Sequence, residues 1–323
     1  MKKRLFLLLI VVVFTLISLF IYQFWPPNLA PVPNDLGRAI WLGVAWVNDS
    51  HSDEEIAELA AELRQNHVDT VYTYTSYLKD EGFNPTYGFA THFMEQLHVS
   101  APEITVLAWI GIPTYSGDPY MQQGAYRLAN GEVREQIAAF AAFTVTELGF
   151  DGVHLNAEPV PSGDEGWLML LTEVRGQFPS NAILSVAAHA LRVTEPVTSI
   201  PYPAQAYHWE EDYMRQVAEL VDEVALMAYD SGLFFPRDYR NWVAYQTITF
   251  ADATPGTDAR LVIGLATTDE FTLSHQTQAE YLQNALAGLH MGLADLPANA
   301  IDAIALYAYW DTSAAEWALL SKP

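Results

Sequence analysis

Short runs of apolar, β-branched and aromatic residues recur along most of the chain and predict eight strands. These runs lie at Ala39–Val47, Thr70–Tyr77, Ile104–Ile112, Gly152–Glu158, Ile183–His189, Glu223–Tyr229, Leu261–Thr267 and Ala303–Trp310. Most are separated by segments with apolar residues at helical spacing, as between Ile56 and Leu63. Because strands that alternate with helices pair in parallel, this pattern predicts a (β/α)8 TIM barrel of the α/β class.

The competing fold for such an alternation is a doubly wound open sheet. That fold normally has a glycine-rich turn after its first strand. Here the corresponding stretch is Val47-Asn48-Asp49-Ser50, which contains no glycine. The barrel is therefore the preferred prediction, with a long loop at Leu191–Trp209 after the fifth strand.

Two helix starts are marked by pairs that are typical of a capping box. The pairs are Ser52 with Glu55, and Ser162 with Glu165. In this arrangement the hydroxyl and the carboxylate each accept a hydrogen bond from the other residue's backbone N–H group. The pairs predict helices that begin directly after the two serines.

The N-terminal segment differs from the rest of the chain. Basic residues from Lys2 to Arg4 precede an apolar run that ends at Trp25, and such a run can cross a bilayer as a helix. We predict a membrane anchor with the barrel outside the cytoplasm. A cleaved signal peptide and a secreted barrel are the alternative. The predicted divisions are a signal-anchor transmembrane helix at 1–25, a proline-rich linker at 26–35 and the barrel at 36–323.

Composition narrows the possible partners. The 323 residues carry a formal net charge of -24, with 15 basic residues against 39 acidic ones. Such an acidic chain repels phosphate groups, so no nucleic-acid partner is expected. The chain has no cysteine, which excludes disulfides, a thiol nucleophile and cysteine-bound metals. No metal-binding motif is present in the sequence, and no metal or other cofactor is predicted.

The fourth predicted strand carries the most concentrated group of polar residues. Side chains alternate along a strand, so His154, Asn156 and Glu158 share one face, and the apolar residues between them share the other. Polar groups inside a barrel are costly unless they are hydrogen-bonded or used in function. Catalytic groups of barrels lie at the carboxyl ends of strands, and Glu158 is the last residue of this one. Glu158 is therefore the leading candidate for an acid or base.

Aromatic residues add a second feature at the same predicted edge. Tyr229 and Asp230 end the sixth predicted strand. Aromatic residues lie at or near several other predicted strand ends: Trp46, Tyr74, Trp109, Tyr309 and Trp310. Flat apolar side chains of this kind suit stacking on sugar rings, so this edge is predicted to bind an oligosaccharide or a polysaccharide.

These residues carry a resemblance to a known family. The stretch Asp151-Gly152-x-x-x-Asn156-x-Glu158 resembles the fourth-strand motif of glycoside hydrolase family 18, the chitinase family. Met227-Ala228-Tyr229-Asp230 and Trp310 are similar to that family's sixth-strand motif and eighth-strand tryptophan. His154 and Asn156 stand where family 18 has acidic residues. The asparagine is similar to that of the related family 85, the endo-β-N-acetylglucosaminidases.

The resemblance implies a retaining hydrolase of β-linked N-acetylglucosamine glycans, in which the substrate's own 2-acetamido oxygen is the nucleophile. It implies that Glu158 is the acid and base, that Asn156 positions the acetamido group, and that Tyr229 hydrogen-bonds the acetamido oxygen or the ring. The implied substrate-binding residues are Trp46, Tyr74, Trp109, His154, Asp230, Tyr309 and Trp310. We also expect His154 to hydrogen-bond Asn156.

Two other functions fit the sequence. In a retaining glycosidase with two carboxylates, Glu158 would be the acid and base and Glu270 the nucleophile. A barrel that binds glycans without cleaving them would depend on the aromatic residues alone. His189, at the end of the fifth predicted strand, is a further residue that would line the cavity.

Overall fold

The computed structural model describes residues 2–29, 31–33, 35–117, 123–199 and 207–320, without the side chains of Lys2, Lys3, Leu5 and Leu7. Eight parallel strands close into a barrel, because β1 pairs with β9 on one side and with β2 on the other. The short strand β3 adds an antiparallel hairpin to the end of β2. The strands are β1 (Gly37–Leu42), β2 (Thr70–Lys79), β3 (Gly82–Phe83), β4 (Thr105–Pro113), β5 (Gly152–Glu158), β6 (Ile183–Ala188), β7 (Glu223–Met227), β8 (Arg260–Ala266) and β9 (Ala303–Tyr307).

Helices cover the outside of the barrel and bury the apolar face of each strand. On β5, for example, Val153, Leu155 and Ala157 belong to the cluster of buried side chains between strands and helices. The helices are α1 (Lys2–Phe24), α2 (Ala45–Asn48), α3 (Asp53–Gln65), α4 (Ala90–Ser100), α5 (Gly131–Thr146), α6 (Glu165–Gln177), α7 (Glu211–Ala218), α8 (Pro236–Ala253), α9 (Thr277–Glu280), α10 (Leu282–Ala294) and α11 (Ala314–Leu320). The predicted TIM-barrel architecture is confirmed.

The first predicted strand ends earlier than expected. β1 stops at Leu42, and the residues that were predicted to continue it form the short helix α2. As a result, the predicted side-chain alternation does not extend to Trp46. The ring of Trp46 instead stacks on His51, with 4.4 Å between the ring centroids.

One of the two predicted capping boxes is present. Ser52 accepts a hydrogen bond from the Glu55 backbone N–H, and the Glu55 side chain accepts one from Ser52 in return. At the other helix start, Asp164 caps α6 by accepting a hydrogen bond from the Trp167 backbone N–H at 2.9 Å. The prediction for Ser162 was therefore wrong, because the carboxylate of Asp164 stands closer to the first helical N–H groups.

The predicted anchor segment is helical in the structure, as α1, and its apolar side chains are largely exposed. Its last turn packs on the start of α8, where Gln23 donates a hydrogen bond to Asp238 at 3.2 Å and Phe24 contacts Phe235 edge to face. Within the described residues, the structure contains no helix whose length and apolar character would let it span a membrane. The transmembrane part of the fold prediction is therefore not supported.

A column of hydrogen-bonded polar side chains fills the barrel interior below the strand ends. The indole Nε1 of Trp41 donates to Nε2 of His154 at 3.3 Å, and Nδ1 of His154 lies 2.8 Å from the Ser185 hydroxyl. Ser185 and Tyr72 in turn donate to the same oxygen of Glu223, at 2.7 Å and 2.8 Å. Because the indole can only donate, His154 must be the neutral tautomer with its proton on Nδ1. Its burial agrees with this state, since it lowers the pKa of His154 to about 3.

Candidate active site

The carboxyl end of β5 places Asn156 and Glu158 side by side, two residues apart on the inward face. The neighbouring strand β4 pairs Gly111 with Asn156 and Pro113 with Glu158. A side chain at Gly111 would crowd Tyr77, since a Cβ atom there would lie 3.2 Å from the Cβ of Tyr77. Glycine at this position therefore leaves open space next to Asn156.

The first cavity opens above Asn156 and has a volume of about 710 Å³. Its walls are mostly aromatic and aliphatic, and Asn156 and Glu158 contribute an amide and a carboxyl group. Its lining residues are Gly43, Val44, Tyr74, Tyr77, Trp109, Gly111, Ile112, Pro113, Asn156, Glu158, Tyr307 and Trp310. A deep apolar cavity with a few convergent polar groups is the usual form of a small-molecule or glycan site.

A second cavity of about 450 Å³ lies on the other side of Glu158. It shares Pro113 and Glu158 with the first cavity and is more polar. Its lining residues are Pro113, Gln123, Gly124, Glu158, Pro159, His189, Ala190, Tyr207, His208, Met227, Tyr229, Asp230 and Ser274. Glu158 therefore stands between two cavities, so a ligand that occupies both would have its middle at this carboxyl group.

The surroundings of Glu158 favour its protonated form. Removal of bulk water by the cavity walls raises its pKa above the ordinary carboxyl value, the hydrogen bond from Asn156 lowers it, and the negative charge of Asp230 raises it. The net direction is upward. The side chain remains reachable from solvent through the open cavities. A carboxyl group of this kind can donate a proton near neutral pH.

Among the described residues, only one of the two polar groups of the Asn156 amide takes part in a hydrogen bond. Its Oδ1 is buried without a hydrogen-bond partner among the described residues, so the contact with Glu158 is made by the amide N–H group, which donates. A buried acceptor without a donor costs free energy, on the order of 1–3 kcal/mol for a neutral group. Because Asn156 lines the first cavity, this acceptor favours a ligand that brings a hydrogen-bond donor to it.

Tyr229 and Tyr307 stack against each other between the two cavities, with 5.3 Å between ring centroids. Burial raises the pKa of Tyr229 well above its ordinary value, and the charges of neighbouring groups, including Asp230 and Glu158, add to this. Burial likewise raises the pKa of Tyr307 to about 12. Both hydroxyls therefore stay protonated and can donate hydrogen bonds to a ligand oxygen.

Asp230 belongs to a further cluster at the edge of the second cavity. Its Oδ1 lies 3.1 Å from Nδ1 of His275, and the same nitrogen lies 3.5 Å from Glu280. Within the part of the chain that the structure describes, these three side chains form the one group with three potential metal ligands, all within 4.8 Å of one another. Hydrogen bonds and ion pairs inside the cluster account for this arrangement without a metal.

The structure brings together seven of the ten candidate site residues at the two cavities. Asn156, Glu158, Tyr74, Trp109 and Trp310 line the first cavity, Tyr229 and Asp230 line the second together with Glu158, and the predicted lining position of His189 is also found there.

Three candidate residues lie elsewhere. Trp46 packs on His51 and Phe93 beside α4. Tyr309 points outward, where its hydroxyl donates to Glu62 at 2.8 Å. His154 lies deep in the interior column, so the expected hydrogen bond to Asn156 is replaced by bonds to Trp41 and Ser185.

Some cavity residues were not among the candidates, notably Tyr77, Tyr307 and His208. Tyr307 is the last residue of β9 and lines the first cavity. Tyr309, two residues later, lies beyond the strand end and points outward to Glu62. The position of Tyr307 within the aromatic run of the eighth predicted strand was the signal that could have identified it. The peptide bond after Tyr307 and the bond between Glu158 and Pro159 are both cis.

Comparison of the fold with solved structures supports the resemblance drawn from the motifs. The spore cortex-lytic enzyme SleL of Bacillus cereus matches with 12% identity and a TM-score of 0.58, covering 90% of this chain and 75% of that one. A chitinase from Chromobacterium violaceum matches with 11% identity and a TM-score of 0.59, covering 88% and 98%. A glycoside hydrolase family 18 N-acetylglucosaminidase from Paenibacillus barengoltzii matches with 14% identity and a TM-score of 0.56, covering 88% and 98%.

These matches concern the fold. No protein-family model matches the sequence, and no curated protein matches it. The predicted resemblance to family 18 is thus confirmed as a likeness of three-dimensional structure at low sequence identity.

Proposed function

We propose that the chain is a retaining glycoside hydrolase that cleaves β-linked N-acetylglucosaminyl bonds by substrate-assisted catalysis. The observation that carries the proposal is the buried Oδ1 of Asn156, which has no hydrogen-bond partner among the described residues and belongs to the same aromatic cavity as a Glu158 carboxyl with a raised pKa. An N-acetyl group presents an N–H donor that fits such an acceptor. The likeness to structures of chitinases and of an N-acetylglucosaminidase agrees with this choice of sugar.

In the proposed first step, Glu158 donates its proton to the glycosidic oxygen as the bond to the anomeric carbon breaks. The 2-acetamido oxygen of the sugar forms the new bond to that carbon and gives an oxazolinium ion. Asn156 Oδ1 accepts the acetamido N–H and holds the group in its attacking orientation. The Tyr229 hydroxyl stays protonated and donates a hydrogen bond to the acetamido oxygen or to the sugar ring.

In the second step, Glu158 is a carboxylate and removes a proton from water. The water oxygen attacks the anomeric carbon on the face that the leaving group occupied, and the bond to the acetamido oxygen breaks. Glu158 ends protonated, so the cycle is complete and the anomeric configuration is retained. One carboxyl group supplies both proton transfers, which is the general acid–base role for which Glu158 is placed.

The position of Glu270 argues against the mechanism with two carboxylates. Glu270 lies in an exposed segment after β8, where its backbone N–H donates to the Thr268 hydroxyl at 3.3 Å. It lines neither cavity. A nucleophilic carboxylate has to reach the anomeric carbon that Glu158 serves, at a carboxyl separation of about 5–5.5 Å.

Three classes of glycan fit the proposal: chitin oligomers, peptidoglycan fragments and N-glycan cores. The test is incubation of the purified chain with labelled members of each class, with products read by mass spectrometry and Glu158→Gln as the control. Cleavage that depends on Glu158 supports the proposal. Measurable oligosaccharide binding without cleavage of any glycan would show a binding barrel instead.

We further propose that the barrel acts outside the cytoplasm and that the N-terminal segment directs its export. The support is the sequence, in which basic residues precede the apolar run to Trp25. Fractionation of cells that express the full chain tests this location. Recovery of the intact chain from the soluble cytoplasmic fraction would contradict it.

A further inference from the structure

His275 lies between two carboxylates at the edge of the second cavity. Its Nδ1 is 3.1 Å from Oδ1 of Asp230 and 3.5 Å from Oε2 of Glu280, and its Nε2 is 3.2 Å from the carbonyl oxygen of Thr268. A carbonyl oxygen and a carboxylate oxygen can only accept hydrogen bonds, so both ring nitrogens must carry protons. His275 is therefore an imidazolium, although its side chain is only 2% exposed.

Glu280 lies on the far side of the His275 ring, and burial raises the pKa of its carboxyl group to about 7, although the charge of His275 and the hydrogen bonds from Ser231 lower it. It is fully buried, and its carboxylate accepts hydrogen bonds from the hydroxyl of Ser231 at 2.8 Å and from the Ser231 backbone N–H at 3.3 Å. Ser231 directly follows Asp230, whose φ of 56° lies in the left-handed region that non-glycine residues seldom adopt. Glu280 and His275 thus fix both the backbone and the side chain at this strand end.

Asp230 connects the cluster to the proposed reaction. One of its oxygens is held by His275, while its side chain is 54% exposed and lines the second cavity together with Glu158. The charged groups that face His275 are Asp230 after β7 and Glu280 in α9. Burial lowers the pKa of His275, but the hydrogen bond to Asp230 and the charges of Glu280 and Asp230 raise it, and the net direction is upward.

We propose that His275 and Glu280 are positioning residues that hold Asp230 as a fixed carboxylate in the second cavity, where it accepts a hydrogen bond from a hydroxyl or N–H group of the glycan. The inference rests on the proposed function for its substrate. The contact with His275 uses Oδ1 of Asp230, so Oδ2 can accept a hydrogen bond from a ligand in the second cavity. If its support is removed, the carboxylate moves, and a shift of about 1 Å at such a group can cost on the order of 100-fold in rate.

The kinetic test compares His275→Ala, His275→Asn and Glu280→Gln in the full chain. We expect His275→Ala to lower kcat/KM by about 100-fold through a higher KM as well as a lower kcat. His275→Asn keeps an N–H donor near the position of Nδ1 and should recover part of this loss. A merely structural role would reduce the folded fraction, which lowers apparent kcat and leaves KM unchanged. The inference is overturned if KM does not change in His275→Ala or if His275→Asn recovers nothing.

The matched control is His290→Asn. His290 lies in α10, where its ring nitrogens contact the carbonyl oxygens of Leu286 and Pro31 at 2.7 Å, and it lines neither cavity. This variant should keep wild-type kcat and KM. A loss equal to that of His275→Asn would show that the effect is not specific to the Asp230 cluster, and would also overturn the inference.

A second measurement does not depend on hydrolysis. The ¹⁵N chemical shifts of the His275 ring report whether both nitrogens are protonated, and we expect an imidazolium in the wild type at neutral pH and a lower ring pKa in Glu280→Gln. A neutral ring in the wild type contradicts the inference whatever the enzyme does. If the imidazolium is present and no glycan is cleaved, the result contradicts the proposed function and leaves the protonation of His275 established.

Discussion

Asn156 donates its amide N–H to Glu158, two residues later on the same face of β5, while its buried carbonyl oxygen has no partner among the described residues. The hydrogen bond lowers the pKa of Glu158, but the loss of bulk water outweighs it and the net shift is upward. The end of β5 thus carries both a proton donor, Glu158, and a hydrogen-bond acceptor for the substrate, the Asn156 carbonyl oxygen. A substrate that brings its own nucleophile needs little more from the protein than these two groups.

Replacement of Glu158 by glutamine should abolish hydrolysis and preserve binding. Glutamine has nearly the same shape but cannot donate and then remove a proton, so we expect kcat to fall by about 10²–10⁴-fold. Substrate affinity should stay within a few-fold of the wild type, as measured by isothermal titration calorimetry with an N-acetylglucosamine oligomer.

Glu270→Gln is the matched control for this change. Glu270 is exposed and outside both cavities, so the variant should keep wild-type kcat. A loss of activity in Glu270→Gln similar to that of Glu158→Gln would instead support a mechanism with two carboxylates.

Hydrolysis should require the 2-acetamido group of the substrate. Glucosides that carry a hydroxyl at this position lack the nucleophile and should be cleaved at a rate near background. Asn156→Ala removes the acceptor for the acetamido N–H and should lower kcat on the N-acetyl substrate, by about 100-fold if the group is no longer held in its attacking geometry. Equal turnover of a glucoside and an N-acetylglucosaminide by the wild-type chain would contradict the mechanism.

The aromatic wall of the first cavity should contribute to affinity through Trp310. This ring is 51% exposed and lines the cavity above Gly43, where an apolar sugar face can stack on it. Trp310→Ala should raise KM by about 10-fold, the equivalent of roughly 1.4 kcal/mol of lost contact.

Trp46→Ala is the natural comparison, because Trp46 is also a tryptophan close to a strand end but packs on His51 and Phe93 instead. It should lower the melting temperature and leave KM unchanged. If the two variants changed KM equally, the assignment of the cavity wall would be wrong.

The barrel and the site at β5 were predictable from the sequence because both depend on local periodicity. Alternation alone places Asn156 and Glu158 on one face, and the structure agrees. Errors arose where a strand ended before its aromatic run did. At the first strand the chain turns into α2 before Trp46, and at the last strand the inward residue is Tyr307 while Tyr309 points outward.

Contacts between distant residues were not predictable in the same way. The partners of His154 come from β1 and β6, and those of His275 include Asp230, after the end of β7, and Glu280 in α9. Which polar groups meet inside a barrel depends on strand stagger and on side-chain size, and neither is visible in the spacing of a single segment.

The buried histidines should make folding stability sensitive to acid. Burial lowers the pKa of His154 to about 3, and burial together with nearby positive charge lowers that of His208 to about 4. In the unfolded chain these rings have an ordinary pKa near 6.5. Between that value and the folded one, the unfolded state binds protons that the folded state excludes, so stability is full above about pH 6.5 and falls as the pH decreases.

Urea unfolding at pH values from 7.5 to 4.5 measures this effect. The free energy of unfolding of the wild type should fall more steeply than that of His154→Gln, by up to about 1 kcal/mol per pH unit for one histidine. His189→Gln provides a second comparison if His154→Gln does not fold, because burial also lowers the pKa of His189 to about 4. If wild type and the folded variant showed the same slope, the histidine would not be neutral in the native barrel. The interior column from Trp41 to Glu223 would then need a different set of donors and acceptors, since the indole N–H of Trp41 requires an unprotonated Nε2 on His154.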